Sequence, residues 1–259
     1  MEILKAENLV KTFQISEKQR KSLGIKDRQK VAVDGVSFTA KSGEVFGLIG
    51  PNGAGKTTTM RMLATLIKPN SGDALYNDIS AVKTPEAVRS QLAFLTTDLK
   101  PDMKSTPNLM YDFFAELYHV PADEAAKRKK ELFAEFGIDK FADTMISKLS
   151  QGQRQKVSLV NSVIHNPKFV IFDEPTNGLD IIAAREVRDF ILNMKKAGKC
   201  VIISTHLFDL VEKVCDRAAM IMDGKIVVDD TLENLMQGRP LEDAFYDIYT
   251  EYMSKKGEV

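Results

Sequence analysis

The chain has 259 residues, of which 44% are hydrophobic, and 36 lysines and arginines balance 36 aspartates and glutamates. This hydrophobic content is enough for a substantial core and excludes global disorder. The formal charge of zero disfavours a dedicated nucleic-acid binder, because phosphate neutralisation needs a basic surplus. We therefore expect no nucleic-acid partner.

Targeting and redox signals are weak. No apolar run approaches the roughly 20 residues that cross a bilayer, and the segment 1–5 carries an acidic residue where a signal peptide would be basic. Cys200 and Cys215 are the two cysteines of the chain. Two thiols in a chain of this length do not form a disulfide framework, so we expect a reducing compartment.

Short β-rich runs alternate with helical patterns, which predicts an α/β fold with a mostly parallel core sheet. In chain order, strands are expected at residues 3–9, 31–39 and 45–49. Between the first two strands, residues 16–30 are rich in lysine and arginine. This segment fits a solvated loop, or a basic contact with anionic lipid or with the cytoplasmic face of a partner.

The pattern is helical from about residue 85 to residue 164. Thr106 and Pro107 provide a cap and a first-turn proline. After them, apolar residues recur at helical spacing and predict one broad face buried in the core, formed by Met110, Phe113, Phe114, Leu117 and Tyr118. A second helix is expected over 123–136 and stops at Gly137.

Strand–helix alternation returns after residue 164. Buried parallel strands are expected at 170–172 and 201–204, with an amphipathic helix between them that Gly198 ends. The segments 218–222 and 225–229, joined by Asp223 and Gly224, predict a hairpin. One helical block therefore interrupts an α/β core.

A glycine-rich segment follows the strand expected at 45–49 and precedes the helix expected at 57–65, which is the setting of a P-loop. Its glycines let backbone N–H groups and a helix start approach phosphate. Lys56 would reach the β- and γ-phosphates, and the Thr57 hydroxyl would bind Mg²⁺. The residues expected to bind nucleotide are Gly50, Pro51, Asn52, Gly53, Ala54, Gly55, Lys56, Thr57 and Thr58.

Two carboxylates follow the apolar run 169–172. At the carboxyl edge of a parallel sheet, Asp173 would face the P-loop and hold Mg²⁺ through water. Glu174 would polarise a water molecule in line with the γ-phosphate. Together with the P-loop, this pair predicts hydrolysis of a nucleoside triphosphate.

The segment 149–153, Leu-Ser-Gln-Gly-Gln, resembles the LSGGQ signature of ABC ATPases, with Gln151 in place of its third residue. The resemblance covers essentially the whole chain. It implies a P-loop NTPase fold with a RecA-like core, an antiparallel β subdomain and an inserted α-helical subdomain at about 98–165. An ABC ATP-binding domain is expected over 1–240, followed by a helical tail over 241–259.

The same resemblance implies how the sites are assembled. Two copies, or one copy and a related ATPase, would pair head to tail, with ATP and Mg²⁺ as cofactors. Ser150 and Gly152, with Gln151 and Gln153 beside them in the signature, would touch the γ-phosphate held by the P-loop of the other subunit.

Three further positions fit the family. Asp180, in the run 177–180, resembles the D-loop at the subunit junction. His206 resembles the switch histidine that contacts the γ-phosphate, so Glu174, His206 and Lys56 form the expected catalytic set. Phe13 is placed to stack on adenine, although it also fits an ordinary strand aromatic.

One position departs from the family pattern. Thr97 stands where most ABC ATPases carry the glutamine that approaches Mg²⁺ and the attacking water, and Gln91 lies too early to replace it. We hypothesise that Thr97 acts through an ordered water or that coupling relies less on this contact. The Thr97→Gln change should then alter ATPase rate or its stimulation by the partner. The departure is similar to the sodium-extrusion-type ATPases of ABC-2 exporters.

The leading interpretation is an ATP-hydrolysing subunit that drives a polytopic membrane permease, lies peripherally on the cytoplasmic face of the cell membrane, and belongs to an ABC-2 type exporter. One alternative is an ABC-type ATPase acting on nucleic acid or ribosomes, which salt-sensitive nucleic-acid binding would reveal. Another is a regulator that binds ATP without hydrolysis, which would require a defect at Glu174 or His206. In the leading interpretation the permease, and not this chain, would set the cargo.

Overall fold

The computed structural model describes residues 1–17, 20, 28–96 and 101–257. Within these residues the strands form two sheets. The smaller sheet is antiparallel, with the strand order β2-β1-β4-β5. Its strands are β1 Ile3–Gln14, β2 Gln29–Lys41, β4 Ser71–Tyr76 and β5 Ile79–Ser80.

The larger sheet has the strand order β10-β9-β3-β8-β7-β6. Its neighbours pair in parallel, except for the antiparallel edge pair of β9 and β10. This sheet confirms the predicted α/β class with a mostly parallel core. Its strands are β3 Val45–Ile49, β6 Leu92–Thr96, β7 Phe169–Asp173, β8 Cys200–Thr205, β9 Arg217–Met222 and β10 Lys225–Thr231.

Three of the longer helices lie between β6 and β7, in the region of the predicted helical insertion. They are α3 Pro107–Leu117, α4 Ala122–Phe136 and α5 Gln151–Ser162. Gly137 ends α4 in the left-handed conformation (φ 64°), as its sequence position predicted. The division of the chain into domains at these boundaries stays a prediction. The remaining helices are α1 Lys56–Leu63, α2 Pro85–Arg89, α6 Ile181–Lys196, α7 Phe208–Val214, α8 Leu232–Met236 and α9 Leu241–Lys256.

The larger sheet is covered on both faces, and β7 shows how its sequence permits this. All five of its residues are buried. Successive side chains of a strand point to opposite faces, so Val170 and Phe172 join the cluster under α3 to α6. Phe169 and Ile171 join the cluster between this sheet and the antiparallel one. Because both faces of β7 are buried, its residues 169–172 form a continuous apolar run and do not alternate with polar residues.

The predicted core face of α3 is wrong in part. Met110 is buried, together with Tyr111 and Ala115, but Phe113 is 60% exposed and Leu117 is 56% exposed. The packed stripe follows positions 107, 110, 111 and 115, whereas the aromatic stripe extends onto the outer side of the helix. A helix at the edge of a cluster is covered on one side only, and periodicity does not say which apolar side that is.

No helix among the described residues combines the length and apolarity required to span a membrane. Cys200 and Cys215 are both free thiols. Burial raises the pKa of Cys200 to about 12, which keeps this thiol protonated and unreactive.

Candidate active site

The glycine-rich loop joins the end of β3 to the start of α1. Gly55 has φ +111°, and a Cβ there would lie 2.5 Å from the oxygen of Ala32. A Cβ on Gly50 would lie 2.2 Å from the oxygen of Ile221. Only glycine tolerates this backbone conformation and these approaches. Gly55, which precedes α1, has no side chain to cap the helix, so the first N–H groups remain available to an anion.

Lys56 lies buried at the floor of this loop, with 5% of its surface exposed. Its Nζ donates to the oxygens of Gly50 at 2.7 Å and Pro51 at 3.2 Å. The same Nζ lies 3.8 Å from Glu174 Oε1. Burial lowers the pKa of Lys56, while the charges of Glu174 and Asp173 act in the opposite direction.

Asp173 ends β7 and is also buried. Its Oδ1 accepts a hydrogen bond from Thr57 Oγ1 at 3.2 Å and another from the hydroxyl of Ser204. Burial raises the pKa of Asp173, and these two hydrogen bonds partly offset that rise. The oxygens of Thr57 and Asp173 are thus adjacent and of the hard type that Mg²⁺ prefers. These two residues fit the ion that the family implies.

Glu174 turns away from β7 with φ +52°, which is uncommon for a residue other than glycine. Its N–H donates to the oxygen of Ser204 at 3.0 Å. Both carboxylate oxygens lie 3.0 Å from His206 Nδ1, and Thr205 Oγ1 donates to Oε2 at 3.2 Å. A carboxylate positioned in this way beside a phosphate site can act as a general base.

A cavity of about 530 Å³ joins the glycine-rich loop to Glu174 and His206, and this volume suits a nucleotide-sized ligand. Asp173 does not line it and meets it through its hydrogen bond with Thr57. Phe13 at one end is 40% exposed, with Lys11 Nζ 5.5 Å from its ring centre. The cavity is lined by Phe13, Lys30, Ala32, Asn52, Gly53, Gly55, Lys56, Thr57, Thr58, Glu174, Asn177 and His206. Gly50, Pro51 and Ala54 shape the loop through their backbone without lining the cavity.

Lys30 and Ala32 line the cavity without having been singled out from the sequence. Lys30 lies opposite Phe13 in the pairing of β1 with β2. An antiparallel hairpin brings such positions together, so the register would have identified Lys30. That register contains irregularities between β1 and β2, which the sequence pattern did not reveal.

The signature segment lies outside this cavity. Ser150 begins α5, and its hydroxyl accepts from Gln153 N at 3.2 Å, while Gln153 Oε1 accepts from Ser150 N at 2.8 Å. This reciprocal pair is a capping box, which fixes the start of the helix. Ser150 and Gln151 are exposed, and Gly152 is half-buried.

Asp180 caps α6, because its Oδ1 accepts from the N–H groups of Ile182 at 2.9 Å and Ala183 at 2.8 Å. Beside it, Ile181 is 89% exposed and Ile182 is 74% exposed. The hypothesis for Thr97 falls on residues 97–100, which lie outside the described residues.

These features together define a P-loop nucleoside triphosphatase. The glycine-rich loop, Lys56, the adjacent oxygens of Thr57 and Asp173, and a carboxylate next to a histidine lie at one carboxyl edge of a parallel sheet, where such folds bind ligands. They arrive there from β3, β7 and β8, which are neighbours in the sheet.

Comparison with known proteins identifies the class more closely. The sequence profile of the ABC transporter family matches residues 33–177. The chain is 36% identical over 225 residues to the ABC transporter ATP-binding protein NatA of Bacillus subtilis (strain 168), covering 85% of this chain and 91% of that protein. It is 34% identical over 210 residues to a fluoroquinolones export ATP-binding protein of Mycobacterium tuberculosis (strain CDC 1551 / Oshkosh), covering 80% and 68% of the two chains.

A solved ATP-binding subunit of an ABC transporter superposes with a TM-score of 0.82 at 25% identity, covering 95% of this chain and 99% of that one. The chain therefore belongs to the ABC transporter family. It is an ATP-binding subunit of that family and an ATPase.

Proposed function

We propose that this chain powers an ABC-2 type exporter by pairing head to tail around ATP. In the pair, each nucleotide contacts the P-loop of one subunit and the start of α5 of the other. The proposal rests on one observation. Among the described residues, the glycine-rich loop and Glu174 line the cavity, but no residue of 149–153 does. The capping box of α5 engages the N–H groups of Ser150 and Gln153, so those of Gln151 and Gly152 at its start would face the anion. In a dimer, the start of α5 of each copy would supply the contact that the cavity of the other copy lacks.

The residues of the cavity suggest how hydrolysis proceeds. Lys56 and the open N–H groups of the loop hold the phosphates. Glu174 accepts a proton from the attacking water, and His206 keeps the Glu174 carboxylate oriented. Thr57, and Asp173 through water, would hold Mg²⁺, which would neutralise charge on the phosphates.

The permease would dock on the outer side of α3. Leu109, Phe113 and Leu117 are each more than half exposed there. Beside them is a groove of about 320 Å³, lined by Phe94, Leu95, Pro101, Met110, Phe114, Tyr118, Ser158, Asn161 and Ser162. Neither polar atom of the buried Asn161 amide has a hydrogen-bond partner among the described residues. An apolar groove with one unsatisfied amide suits a cytoplasmic helix or loop of the permease that brings a polar group.

Export rather than import is supported by the resemblance to ABC-2 ATPases and by a relative whose name describes export of fluoroquinolones. The cargo of that relative is not proposed for this chain. Docking on a permease would hold the chain peripherally on the cytoplasmic face of the cell membrane.

Mixing two inactive variants tests the head-to-tail pairing. Lys56→Ala disables the cradle and Ser150→Phe blocks the signature, so each variant alone should hydrolyse ATP no faster than background. In a mixture, half of the dimers carry one intact composite site, and activity should return to at most roughly a quarter of the wild-type rate. The proposal fails if the mixture stays inactive and ATP-loaded Glu174→Gln remains monomeric by light scattering.

A further inference from the structure

The start of α5 is packed against the segment that follows Glu174 in the same copy. Gly178 has φ +73°, and a Cβ there would lie 2.7 Å from Gln151 Nε2. A Cβ on Gly152 would lie 3.3 Å from the Cβ of Ala183. The signature and the residues 178–183 therefore meet with little space between them.

One polar contact reaches the residue that directly follows Glu174. Gln155 lies on the second turn of α5, and its Nε2 donates to the oxygen of Pro175 at 3.3 Å in a partly buried setting. Pro175 is buried and directly follows Glu174. A buried carbonyl needs a partner, and Gln155 supplies it from the signature helix.

The residue after Gln155 on α5 makes a second contact with the neighbouring helix. Lys156 Nζ lies 2.6 Å from Glu186 Oε2. That oxygen is without an aligned hydrogen bond, so the contact is an ion pair. It joins α5 to α6 at a point beyond Ala183, so the amino-terminal parts of the two helices are packed together.

The packing of α5 against the segment after Glu174 can influence the backbone of Glu174. Its φ of +52° lies in a region that a side chain disfavours, and such a conformation persists only where neighbours hold it. On one side Glu174 N donates to Ser204 O at 3.0 Å, and on the other Asn177 N donates to Glu174 O at 3.2 Å. The Gln155–Pro175 bond adds a support that comes from the signature helix.

We propose that Gln155 is a positioning residue that links the signature to the catalytic carboxylate within one copy. When Ser150 and Gly152 engage the ATP of the other subunit, the position of α5 relative to that ATP is fixed. Gln155 then holds the backbone after Glu174, so that this carboxylate is oriented at the ATP of its own subunit. The two composite sites of a dimer are thereby coupled. The inference rests on the proposed head-to-tail pairing.

The test compares two glutamines that make the same kind of bond. Gln91 Nε2 donates to Ala87 O at 3.1 Å, away from the cavity, so Gln91→Met is the control for Gln155→Met. We expect Gln155→Met to lower kcat about three- to tenfold, the rate equivalent of one hydrogen bond, with the KM for ATP changed less than about twofold. In a Glu174→Gln background, ATP-dependent dimerisation should remain as in the parent.

Two results would overturn the inference. One is a kcat for Gln155→Met equal to that of Gln91→Met. The other is loss of dimerisation in the Glu174→Gln background, which would mean that Gln155 shapes the signature surface and not the carboxylate. If Gln155→Met does not fold, Gln155→Glu keeps the side-chain shape, removes the donor and is judged by the same readouts. Failure of the Glu174→Gln parent itself to dimerise would instead contradict the proposed pairing.

Discussion

The carboxyl edge of the larger sheet and the outer side of α3 differ in how well their groups are satisfied. At the sheet edge, Lys56, Asp173 and Glu174 are buried or half-buried, and each has polar partners inside the chain. Beside α3, Asn161 is buried without partners among the described residues, and Phe113 is mostly exposed. The sheet edge is organised before any ligand arrives, whereas the α3 side has the character of a surface that a second protein covers.

The largest expected effect tests the sheet edge. Glu174→Gln removes the proposed base while keeping the shape of the side chain, so kcat should fall at least about a hundredfold, as for loss of a general base. ATP affinity should change little, and ATP-loaded dimers should accumulate. Steady-state ATPase assays and light scattering measure these two outcomes.

The matched control is Glu242→Gln, a change of an exposed carboxylate at the start of α9, which should leave the rate unchanged. If Glu174→Gln keeps more than a tenth of the wild-type rate, the base lies elsewhere.

The second prediction concerns the backbone of the cradle. Gly55→Ala combines φ +111° with a Cβ placed 2.5 Å from Ala32 O, so the loop must shift at a cost of about 1 to 3 kcal/mol. We expect ATP affinity, measured by calorimetry, to fall at least about tenfold, which corresponds to about 1.4 kcal/mol.

Gly43→Ala separates backbone strain from the clash. Gly43 has φ +80°, and no atom lies within 4 Å of the position that a Cβ would occupy there, so its substitution should cost stability and leave ATP affinity intact. Equal affinity losses in both variants would mean that strain alone, and not the shape of the cradle, explains the effect.

The sequence predicted for a physical reason that these residues meet at the sheet edge. The GxxxxGK[ST] spacing has few uses other than phosphate binding. An apolar strand that ends in Asp173 must also deliver that residue to the carboxyl edge of a parallel sheet. The predicted end of the strand and the predicted phosphate chemistry therefore indicate the same place. The cavity there is lined by Lys56, Thr57, Glu174 and His206.

Other features depended on information that the sequence does not carry locally. Lys30 enters the cavity through the register of β1 with β2, which includes irregularities. The exposure of Phe113 depends on how many sides of α3 are covered. The contact of Gln155 with Pro175 joins positions that are distant in the chain. Each of these follows from tertiary packing, which periodicity alone does not specify.

The third prediction tests the α3 side. Replacing Leu117 with Ser removes exposed apolar surface, so the free energy of unfolding should stay within about 0.5 kcal/mol. Basal ATPase activity should also be retained, but co-purification with the permease should be lost or strongly reduced. Leu66→Ser is the matched control, because Leu66 is 54% exposed and Leu117 is 56% exposed. Equal recovery of the permease with both variants would remove α3 from the docking surface.

The smallest effect concerns the contact between the end of α3 and the start of β6, at the sheet edge opposite the site. The ring of His165 stacks on Tyr118 at the end of α3, with ring centres 4.0 Å apart, and its Nε2 donates to Leu92 O at 3.2 Å at the start of β6. Burial lowers the pKa of His165 from 6.5 to about 4. The folded chain therefore keeps this histidine neutral at pH values where the unfolded chain protonates it.

Because the unfolded state binds more protons between these two pKa values, stability should fall as the pH is lowered from about 6.5 toward 4, by at most about 1.4 kcal/mol per pH unit from this group. His165→Phe keeps an aromatic ring against Tyr118 and cannot titrate, so the difference in unfolding free energy between pH 7 and pH 5 should shrink. Urea unfolding at both pH values measures it, with His119→Asn, at an exposed histidine, as the control. An undiminished difference in His165→Phe would show that protonation of His165 does not weaken the contact between α3 and the sheet.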